Sequence, residues 1–375
     1  MKLFEFEAKR VLRKYDIPVP EGEVASDPEG VELIARGINK PVVLKSQILV
    51  SGRGKAGGII FVNDAAEAKK VASNLIGTTI KESTVKSLLV EEKINIDKQF
   101  YASVAIDRQA KTYIILASTE GGVDIEETAR AFPDKISRYW VDPVSGFSHA
   151  EATEILGKLG MSKDDTDRFV TIINTMYKAA GDNDAELVEI NPLVKTASGE
   201  FLAADARMII DDNALFRHPE FANSSSLGVD DTPLEAEARK QKLPYVDLSG
   251  DIGIVANGAG LGMATVDVVQ YFGGSPANFL DVGGGGPMDF PKRGLLLVMS
   301  KPEVKAVLIN MLGGITRCDI FAQAVVAALK ESRVKKPIVV RMTGTNEVEG
   351  NRLLNEAGIK TYTNMEEAVK EVVKL

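Results

Sequence analysis

The chain has 375 residues, more than a single hydrophobic core usually organises, so two or three domains are expected. With 45% hydrophobic and 26% charged residues, its composition is typical of a soluble globular enzyme. The net charge of -8 argues against nucleic acid as the main partner, because binding a phosphate backbone requires a clustered basic surface. The single cysteine, Cys318, excludes an intrachain disulfide and fits a reducing cytoplasm. No stretch reaches about 18 uncharged apolar residues, and the charged N-terminus is not typical of a signal peptide, so no membrane anchor is expected.

The first half of the chain alternates helix-like and strand-like patterns. Helices are predicted over residues 3–15, 28–39, 64–76, 123–131, 150–159 and 163–180. Strands are predicted over residues 41–45, 59–62, 87–93, 99–106 and 112–117. Residues 213–243 carry proline, serine and mixed charge, with one charged helix over 233–241, and we interpret them as a connection between domains.

A glycine-rich segment, residues 51–58 (SGRGKAGG), lies between two predicted strands. Glycine allows the backbone to approach a ligand closely, and Lys45, Arg53 and Lys55 would supply positive charge for phosphate. It is not a Walker A loop, because alanine follows the Gly-Lys pair. Taken alone, the segment leaves phosphate binding and a flexible hairpin tip equally open. Glu91, at the end of the next strand, is a candidate for ribose hydroxyls, although a solvated strand end explains it better by itself.

Residues 186–207 predict two strands joined by a turn around Ser198. If the hairpin is centred on Ser198, Asn191 lies opposite Asp205, and opposed Cβ atoms are about 4.5–5.5 Å apart. An amide oxygen and a carboxylate at that spacing could share Mg²⁺, which prefers oxygen ligands and keeps waters and substrate phosphates as the others. The alternative is an ordinary hairpin with a polar face, and the hairpin alone favours that alternative.

From residue 245 the pattern changes to repeated strand–loop–helix units. Strands are predicted over 252–256, 277–281, 305–311, 337–341 and 359–362, and helices over 261–272, 291–300, 318–332, 346–356 and 365–373. This alternation predicts a doubly wound parallel sheet with ligands at the carboxyl ends of its strands. The loops at 257–262, 281–286, 313–316 and 343–345 lie at those ends, and each enters a helix, which favours phosphate or carboxylate. A dinucleotide fingerprint with Asp281 as its acid is a weaker alternative.

The sequence lacks the usual nucleophile motifs. It has only two histidines, His149 and His218, and no Gly-x-Ser-x-Gly, Cys-x-x-Cys or histidine-rich set. Cys318 begins a predicted helix, but its apolar neighbours predict a buried structural thiol. The chain therefore carries nucleotide-type and anion-type sites, and in a group-transfer reaction its nucleophile would come from another chain.

Motifs along nearly the whole chain resemble those of the succinate–CoA ligase (succinyl-CoA synthetase) β-subunit family. The likeness is carried by residues 3–5 (LFE), 8–9 (AK), 52–58 (GRGKAGG), 117–123 (ASTEGGV), 189–193 (EINPL), 213–217 (NALFR), 255–261 (VANGAGL), 276–285 (PANFLDVGGG) and 313–319 (GGITRCD). The resemblance implies an α/β chain with an N-terminal ATP-grasp domain followed by a flavodoxin-like CoA-ligase domain. The expected boundaries are 1–235, with a subdomain at about 21–98 inserted, and 245–375.

The resemblance also implies residue roles at matching positions. The implied nucleotide-binding positions are Lys45, Gly52, Arg53, Gly54, Glu91, Ile94 and Gln99. Asn191 and Asp205 would hold Mg²⁺, and Glu189 would orient the phosphorylated histidine of a partner. The implied substrate-binding positions, beside the succinate carboxylate, are Asn257, Gly314, Ile315 and Thr316.

The implied activity is that of an acid–thiol ligase of the citric acid cycle, forming succinyl-CoA reversibly from succinate and CoA. ATP/ADP is expected in preference to GTP/GDP, and an α subunit would supply the phosphohistidine and the CoA site in a cytoplasmic heteromer. No nucleic acid or membrane partner is expected. Two positions depart from the family pattern: Gln99, where bacterial members usually have glutamate, and Thr316, where valine is common. A malate–CoA ligase β subunit and a non-catalytic nucleotide-binding subunit therefore remain as alternatives.

Overall fold

A computed structural model of the chain describes residues 1–50, 52–123, 125–222, 224, 226, 228–229, 231–283 and 289–375. The chain divides into two compact units, Met1–Val229 and Asp230–Leu375. Ser51 of the glycine-rich segment and residues 284–288, which include the end of the predicted loop at 281–286, lie outside the described residues. Within the described ranges, no helix combines the length and the apolar character needed to span a bilayer.

The first unit is a mixed α/β structure. Its helices are α1 (Glu5–Lys14), α2 (Pro28–Ile38), α3 (Ala65–Leu75), α4 (Ile125–Ala131), α5 (His149–Gly157) and α6 (Lys163–Asp182), with short 3₁₀ segments at Pro133–Lys135, Asp212–Arg217 and Pro219–Phe221. Its strands are β1 (Gly22–Ala25), β2 (Val42–Ser46), β3 (Ile59–Val62), β4 (Thr79–Ile80), β5 (Ser83–Thr84), β6 (Leu88–Glu92), β7 (Ile96–Asp107), β8 (Thr112–Ser118), β9 (Ile136–Trp140), β10 (Ala185–Thr196), β11 (Phe201–Ala203) and β12 (Ala206–Ile210).

Two antiparallel sheets organise this unit. The smaller sheet has the order β1-β6-β2-β3, and α2 and α3 pack on it around a shared apolar core. The larger sheet has the order β11-β10-β7-β8-β9, with β12 also paired to β10. Helix α6 packs on the larger sheet through Phe169, Ile173 and Met176, whose spacing places them on one helical face, as the sequence predicted.

Helix α1 differs from an ordinary amphipathic helix in what it buries. Its buried face combines apolar residues such as Ala8 and Leu12 with two charged residues, Glu5 and Lys9. Acidic residues in its first turn and Arg13 and Lys14 in its last turn complement the helix dipole. The helix therefore presents two charges, one turn apart, to the interior of the unit.

The second unit contains the predicted parallel sheet. Its helices are α7 (Pro233–Lys240), α8 (Ala259–Tyr271), α9 (Phe290–Ser300), α10 (Cys318–Glu331), α11 (Glu347–Glu356) and α12 (Met365–Val372). Its strands are β13 (Tyr245–Asp247), β14 (Ile252–Ala256), β15 (Asn278–Leu280), β16 (Ala306–Gly313), β17 (Ile338–Gly344) and β18 (Lys360–Tyr362). Strands β14, β16, β17 and β18 pair in parallel, and bridges from β14 to Pro276 and Asp281 place β15 on its other side. The resulting order is the flavodoxin-like one, so the predicted fold class is confirmed.

Candidate nucleotide and carboxylate sites

The long hairpin has the register that the sequence predicted. Ile190 pairs with Ala206 and Leu193 with Ala203, so both pairings are centred on Ser198. The backbone N–H of Asn191 donates to the carbonyl oxygen of Asp205 at 3.3 Å. Asn191 on β10 therefore lies directly opposite Asp205, which lies between β11 and β12.

A second glycine-containing loop follows β8 and includes Gly121 and Gly122. It holds the Asn191 side chain by hydrogen bonds. Its Oδ1 accepts a hydrogen bond from the backbone N–H of Gly122 at 2.8 Å, and its Nδ2 donates to the carbonyl oxygen of Val123 at 3.1 Å. The loop lies close to β7, because a Cβ on Gly121 would be 2.3 Å from the carbonyl oxygen of Phe100. The side chain of Gln99 lies against Gly122 in the same way. The loop thus connects the predicted metal ligand to the strand that carries Gln99.

Six charged side chains of the first unit form a connected group, which we call the ionic cluster. Its members are Glu5, Lys9, Lys45, Arg53, Glu91 and Asp205. Three are cations and three are anions, so the cluster is balanced in formal charge. Asp205 keeps 34% of its side chain exposed, whereas the other five side chains are at most 10% exposed, so Asp205 lies at the open end.

Glu5 binds three cations at once. Its Oε1 lies 2.8 Å from the Nζ of Lys45 and 2.9 Å from the Nζ of Lys9, and its Oε2 accepts a hydrogen bond from the Nη2 of Arg53. Burial by itself would raise the pKa of Glu5, but these cations outweigh burial and hold that pKa well below its usual range. Glu5 is therefore ionised at neutral pH.

Glu91 and the carbonyl oxygen of Ala204 are the other partners of Lys9 and Lys45. The Nζ of Lys9 lies 2.6 Å from the Oε1 of Glu91, and the Nζ of Lys45 lies 2.7 Å from its Oε2. Both ammonium groups also donate to the carbonyl oxygen of Ala204. Burial opposes the charge of Lys45, yet Glu5 and Glu91 outweigh burial and raise its pKa, so Lys45 stays a cation.

Arg53 extends from the glycine-rich segment to Asp205. Its Nη1 donates to the carbonyl oxygen of Ser46 at 2.9 Å, and its Nη2 lies 3.2 Å from both carboxylate oxygens of Asp205. A backbone hydrogen bond closes the turn that carries Arg53: the N–H of Gly58 donates to the carbonyl oxygen of Arg53 at 2.8 Å. Gly52 has a φ of 70°, a left-handed conformation that favours glycine. Gly54 lies in the same turn.

The remaining predicted residues of the first unit lie on β7 and β10 and in the connection between β6 and β7. Glu189 is on β10, two residues before Asn191, and pairs with Arg207 and Ser103 of the neighbouring strands. Burial raises the pKa of Glu189, Arg207 opposes the rise and Asp205 adds to it. Gln99 is exposed on β7, and Ile94 is half-buried in the connection between β6 and β7.

The predicted carboxylate site of the second unit lies at the carboxyl ends of its strands. The Asn257 amide bridges two strand ends: its Nδ2 donates to the carbonyl oxygen of Leu312 at 2.9 Å, and its Oδ1 accepts from the N–H of Leu312 at 2.7 Å. The next residues, Gly314 and Ile315, are exposed, and Thr316 is half-buried. The structure therefore brings Asn257 next to the strand that leads into residues 314–316.

Two other side chains of this edge have structural roles. Asp281 does not present a free acid, because its Oδ1 accepts from the N–H groups of Gly258 at 2.6 Å and Gly283 at 2.7 Å, which weakens the dinucleotide alternative. Cys318 is buried, its Sγ donates to the carbonyl oxygen of Thr343 at 3.4 Å, and burial raises the pKa of its thiol. The prediction of a structural thiol is therefore consistent with the structure.

The donor set at Asn191 and Asp205 fits a hard cation. It offers a carboxylate and an amide oxygen from opposed residues, which are the ligand types that Mg²⁺ prefers. Across the part of the chain that the structure describes, no group of three or more His, Cys, Asp or Glu side chains is arranged to hold a metal ion. An ion at Asn191 and Asp205 would thus complete its shell with waters or phosphate oxygens.

Comparison with known proteins identifies the family. A family model of the ATP-grasp domain matches residues 2–195, and a CoA-ligase model matches residues 255–375. Succinate–CoA ligase [ADP-forming] subunit beta of Desulfurococcus amylolyticus is 48% identical over 100% of this chain and 99% of its own length. The chain belongs to the succinate–CoA ligase β-subunit family. The resemblance that the motifs predicted is therefore confirmed.

Other relatives agree with this assignment, and one solved structure shares the fold. The succinate–CoA ligase [ADP-forming] subunit beta of Ignicoccus hospitalis is also 48% identical, and the [GDP-forming] subunit beta of Thermus thermophilus is 44% identical, each over 100% of this chain and 99% of the relative. The structure of ATP citrate lyase from Methanothrix soehngenii, in complex with citrate and coenzyme A, superposes with a TM-score of 0.81. It covers 100% of this chain and 99% of that chain at 21% identity, which shows a common fold.

Two members of the ionic cluster, Glu5 and Lys9, were not predicted as site residues. The sequence did contain a signal, because both lie in the apolar stripe of α1 and one turn apart, where charged residues are rare unless paired. The role of the Gly121–Gly122 loop was also missed. Its adjacent glycines entered the sequence analysis only as part of the family motif over residues 117–123, and nothing in the local sequence indicates the contact with Asn191, 69 residues away.

Replacing Gly121 with alanine tests this loop. The new Cβ would lie 2.3 Å from the carbonyl oxygen of Phe100 and 2.6 Å from its carbonyl carbon, and backbone atoms cannot rotate aside. We expect a loss of about 1–3 kcal/mol in the free energy of unfolding, because the loop must move off β7. Gly37→Ala, where a Cβ meets no atom within 4 Å, is the matched control and should stabilise α2 by up to about 1 kcal/mol. Equal unfolding midpoints in urea for the two variants would contradict the tight contact.

Proposed function

We propose that this chain is the β subunit of an ADP-forming succinate–CoA ligase of the citric acid cycle. The reaction joins succinate and CoA reversibly to succinyl-CoA while ATP is converted to ADP and phosphate. The observation that carries the proposal is the opposition of Asn191 and Asp205 beside the ionic cluster, within a unit that matches the ATP-grasp domain. ATP is proposed as the nucleotide because relatives at 48% identity are named ADP-forming.

The nucleotide phosphates are proposed to lie against Lys45, Arg53 and the flanking Gly52 and Gly54. Lys45 and Arg53 supply two buried cations here, and glycines allow the backbone to approach a polyanion. The other end of the nucleotide is assigned to Glu91, Ile94 and Gln99. Glu91 belongs to the ionic cluster, and Ile94 and Gln99 follow it along the chain, in the connection to β7 and on β7.

Asn191 and Asp205 are proposed to hold Mg²⁺ between the protein and the phosphates. Bound there, the ion would neutralise charge on the transferring phosphoryl group. The residues of this chain hold the geometry: the Gly122 N–H orients the Asn191 amide, and the opposed strands fix Asp205 against it. Catalysis in this unit is accordingly positioning and electrostatic stabilisation, with no covalent step on this chain.

The phosphoryl group is proposed to pass to a histidine of an α subunit, which also binds CoA. The names of the relatives, which are β subunits, imply a partner subunit. Of the two histidines of this chain, His218 is buried with its Nε2 2.7 Å from the Oδ2 of Asp184, which suits a structural role. Glu189 is proposed to orient the partner's histidine from β10, next to the proposed metal ligands.

The second unit is proposed to bind the succinate carboxylate with Asn257 and residues 314–316. We place the nucleotide-binding domain at 1–235, with the inserted subdomain at about 21–98, the ligase domain at 245–375, and the protein in the cytoplasm, on the basis of its single buried cysteine. The relatives are named for succinate, which favours succinate over malate and an active ligase over a non-catalytic subunit. Because Thr316 stands where valine is common in the family, turnover should be compared with succinate and with malate.

Phosphoryl transfer tests the proposal directly. The chain is purified with its partner subunit and given Mg²⁺ and γ-labelled ATP, and the label is located. We expect an acid-labile label on a histidine of the partner that is discharged by succinate together with CoA. Discharge by malate but not by succinate would reassign the substrate, and no label with ATP or GTP would refute the phosphohistidine route.

The raised pKa of Glu189 predicts the pH dependence of this transfer. Because burial raises that pKa, Glu189 gains its proton at a higher pH than an ordinary glutamate, whose pKa is about 4.3. If the carboxylate orients the histidine, the transfer rate falls as pH decreases through the raised pKa. Glu189→Gln should lower the rate and remove this acid limb, whereas Glu186→Gln, an exposed ion-pair position on the same strand, should keep it. An unchanged acid limb in Glu189→Gln would contradict the assignment.

A further inference from the structure

Asp205 has two competing partners, the proposed metal ion and Arg53. It is proposed as a Mg²⁺ ligand, yet in this structure both of its carboxylate oxygens lie 3.2 Å from the Nη2 of Arg53. A guanidinium N–H placed against both oxygens takes a lone pair on each, out of the roughly four lone-pair sites of a carboxylate, so it competes with a cation for this group. The positive charge of Arg53 also repels a metal ion at that position.

Arg53 likewise has two competing partners, Asp205 and the proposed nucleotide phosphates. Its guanidinium is 10% exposed and is proposed to bind nucleotide phosphates. It has hydrogen-bond partners other than Asp205, because its Nη1 donates to the carbonyl oxygen of Ser46 and its Nη2 also donates to Glu5. Glu5 is held in turn by Lys9 and Lys45. Releasing Asp205 therefore leaves Arg53 paired, and the carboxylate that is freed is the exposed one of the cluster, at 34% against 2% for Glu5 and Glu91.

We propose that Arg53 is a positioning residue that couples metal binding to nucleotide binding, by holding Asp205 until a phosphate draws the guanidinium away. This inference rests on the proposed function of Arg53 and Asp205. Without nucleotide, Arg53 competes with the metal for Asp205, so the metal alone binds weakly. With nucleotide, Asp205 becomes free, and by thermodynamic linkage the metal raises nucleotide affinity by the same factor.

The coupling predicts opposite effects of one substitution. Arg53→Gln removes a phosphate contact, so ADP binds more weakly. It also removes the competitor at Asp205, so a divalent metal binds more tightly in the absence of nucleotide. A residue that only supported the fold would weaken both kinds of binding when replaced, which makes the two directions diagnostic.

Mn²⁺ serves as the probe, because its paramagnetism reports binding without any turnover. Mn²⁺ is titrated into the nucleotide-free complex of this chain with its partner subunit, for the wild type, Arg53→Gln, Asp205→Asn and a control, Lys195→Gln. The Nζ of Lys195 lies 2.6 Å from the Oδ1 of the buried Asp165, outside the ionic cluster. The control therefore also removes a cation that pairs with a buried carboxylate. ADP affinity is measured on the same samples by calorimetry.

We expect Arg53→Gln to bind Mn²⁺ at least about fivefold more tightly than the wild type and ADP more weakly, with Lys195→Gln unchanged in both. Equal or weaker Mn²⁺ binding by Arg53→Gln, while Asp205→Asn loses the site, would overturn the coupling and leave the metal site intact. Unchanged Mn²⁺ binding by Asp205→Asn would overturn the metal assignment itself and the coupling with it. If Arg53→Gln does not fold, Arg53→Lys keeps a cation for Glu5 with a shorter reach, and the same direction is expected.

Discussion

Replacing Asp205 with alanine is expected to lower kcat/KM for phosphorylation of the partner subunit by about 10²–10³-fold. Asp205 is the only carboxylate that we assign to the metal, and electrostatic stabilisation of a transferring phosphoryl group is of that size, several kcal/mol of barrier. The fold is expected to survive the change, because Asp205 is one-third exposed and Arg53 keeps its contacts with Ser46 and Glu5. Circular dichroism and the unfolding midpoint measure the fold, and rapid-quench labelling measures the transfer.

The matched control for this change is Asp182→Ala. Asp182 is also an exposed carboxylate of the first unit in an ion pair, here with Lys178, but it is outside the ionic cluster. It should leave the transfer rate within about twofold, since exposed pairs contribute about 0–1 kcal/mol. Asn191→Ala should resemble Asp205→Ala in rate, and the double variant should cost little more than either one, because the two residues serve one ion. Full activity of Asp205→Ala in the complex would contradict the metal site and favour a non-catalytic subunit.

The hairpin shows why part of the candidate site could be predicted from sequence. Its register depends on the turn around Ser198 and on alternation along two adjacent strands, and both are local signals. Local signals likewise predicted the strand over 252–256 and the doubly wound parallel sheet of the second unit, whereas its flavodoxin-like fold was implied by the family resemblance. Geometry that follows from neighbouring residues is thus predictable from the sequence.

The ionic cluster could not be predicted in this way. Lys9 contacts Glu91 and the carbonyl oxygen of Ala204, which are 82 and 195 residues away along the chain. Charged residues in an apolar stripe indicate that partners exist, but a single sequence does not say which. The contact of Gly122 with Asn191 was missed for the same reason.

Five short strands, β1, β4, β5, β9 and β13, were also missed, and their position explains why. Each is an edge strand of its sheet, so it buries few side chains. In β1 only Ala25 is fully buried, and in β9 only the first two residues are, which leaves no alternating pattern to read. An edge strand is held to its sheet mainly by backbone hydrogen bonds to one neighbour, and these do not depend on the pattern of side chains.

The second large effect is expected in stability rather than in rate. Replacing Lys9 with methionine should lower the free energy of unfolding by about 3–5 kcal/mol, the usual cost of breaking a buried ion pair from one side. Methionine keeps most of the stem of lysine, so little packing is lost. The loss arises because Glu5 and Glu91 keep buried charge that only Lys45 and Arg53 then offset. Chemical denaturation of the complex measures the change.

Lys178→Met is the control, because Lys178 forms an exposed ion pair one turn along α6 and should cost no more than about 1 kcal/mol. The double variant Lys9→Met/Glu91→Gln separates charge from packing. If the cost comes from unpaired charge, removing the Glu91 carboxylate as well should restore part of the stability, so the double variant unfolds later than Lys9→Met alone. If packing dominates, the double variant is less stable than either single one. A small effect of Lys9→Met itself would show that water reaches Glu91 and that the cluster is not the closed set of ion pairs described above.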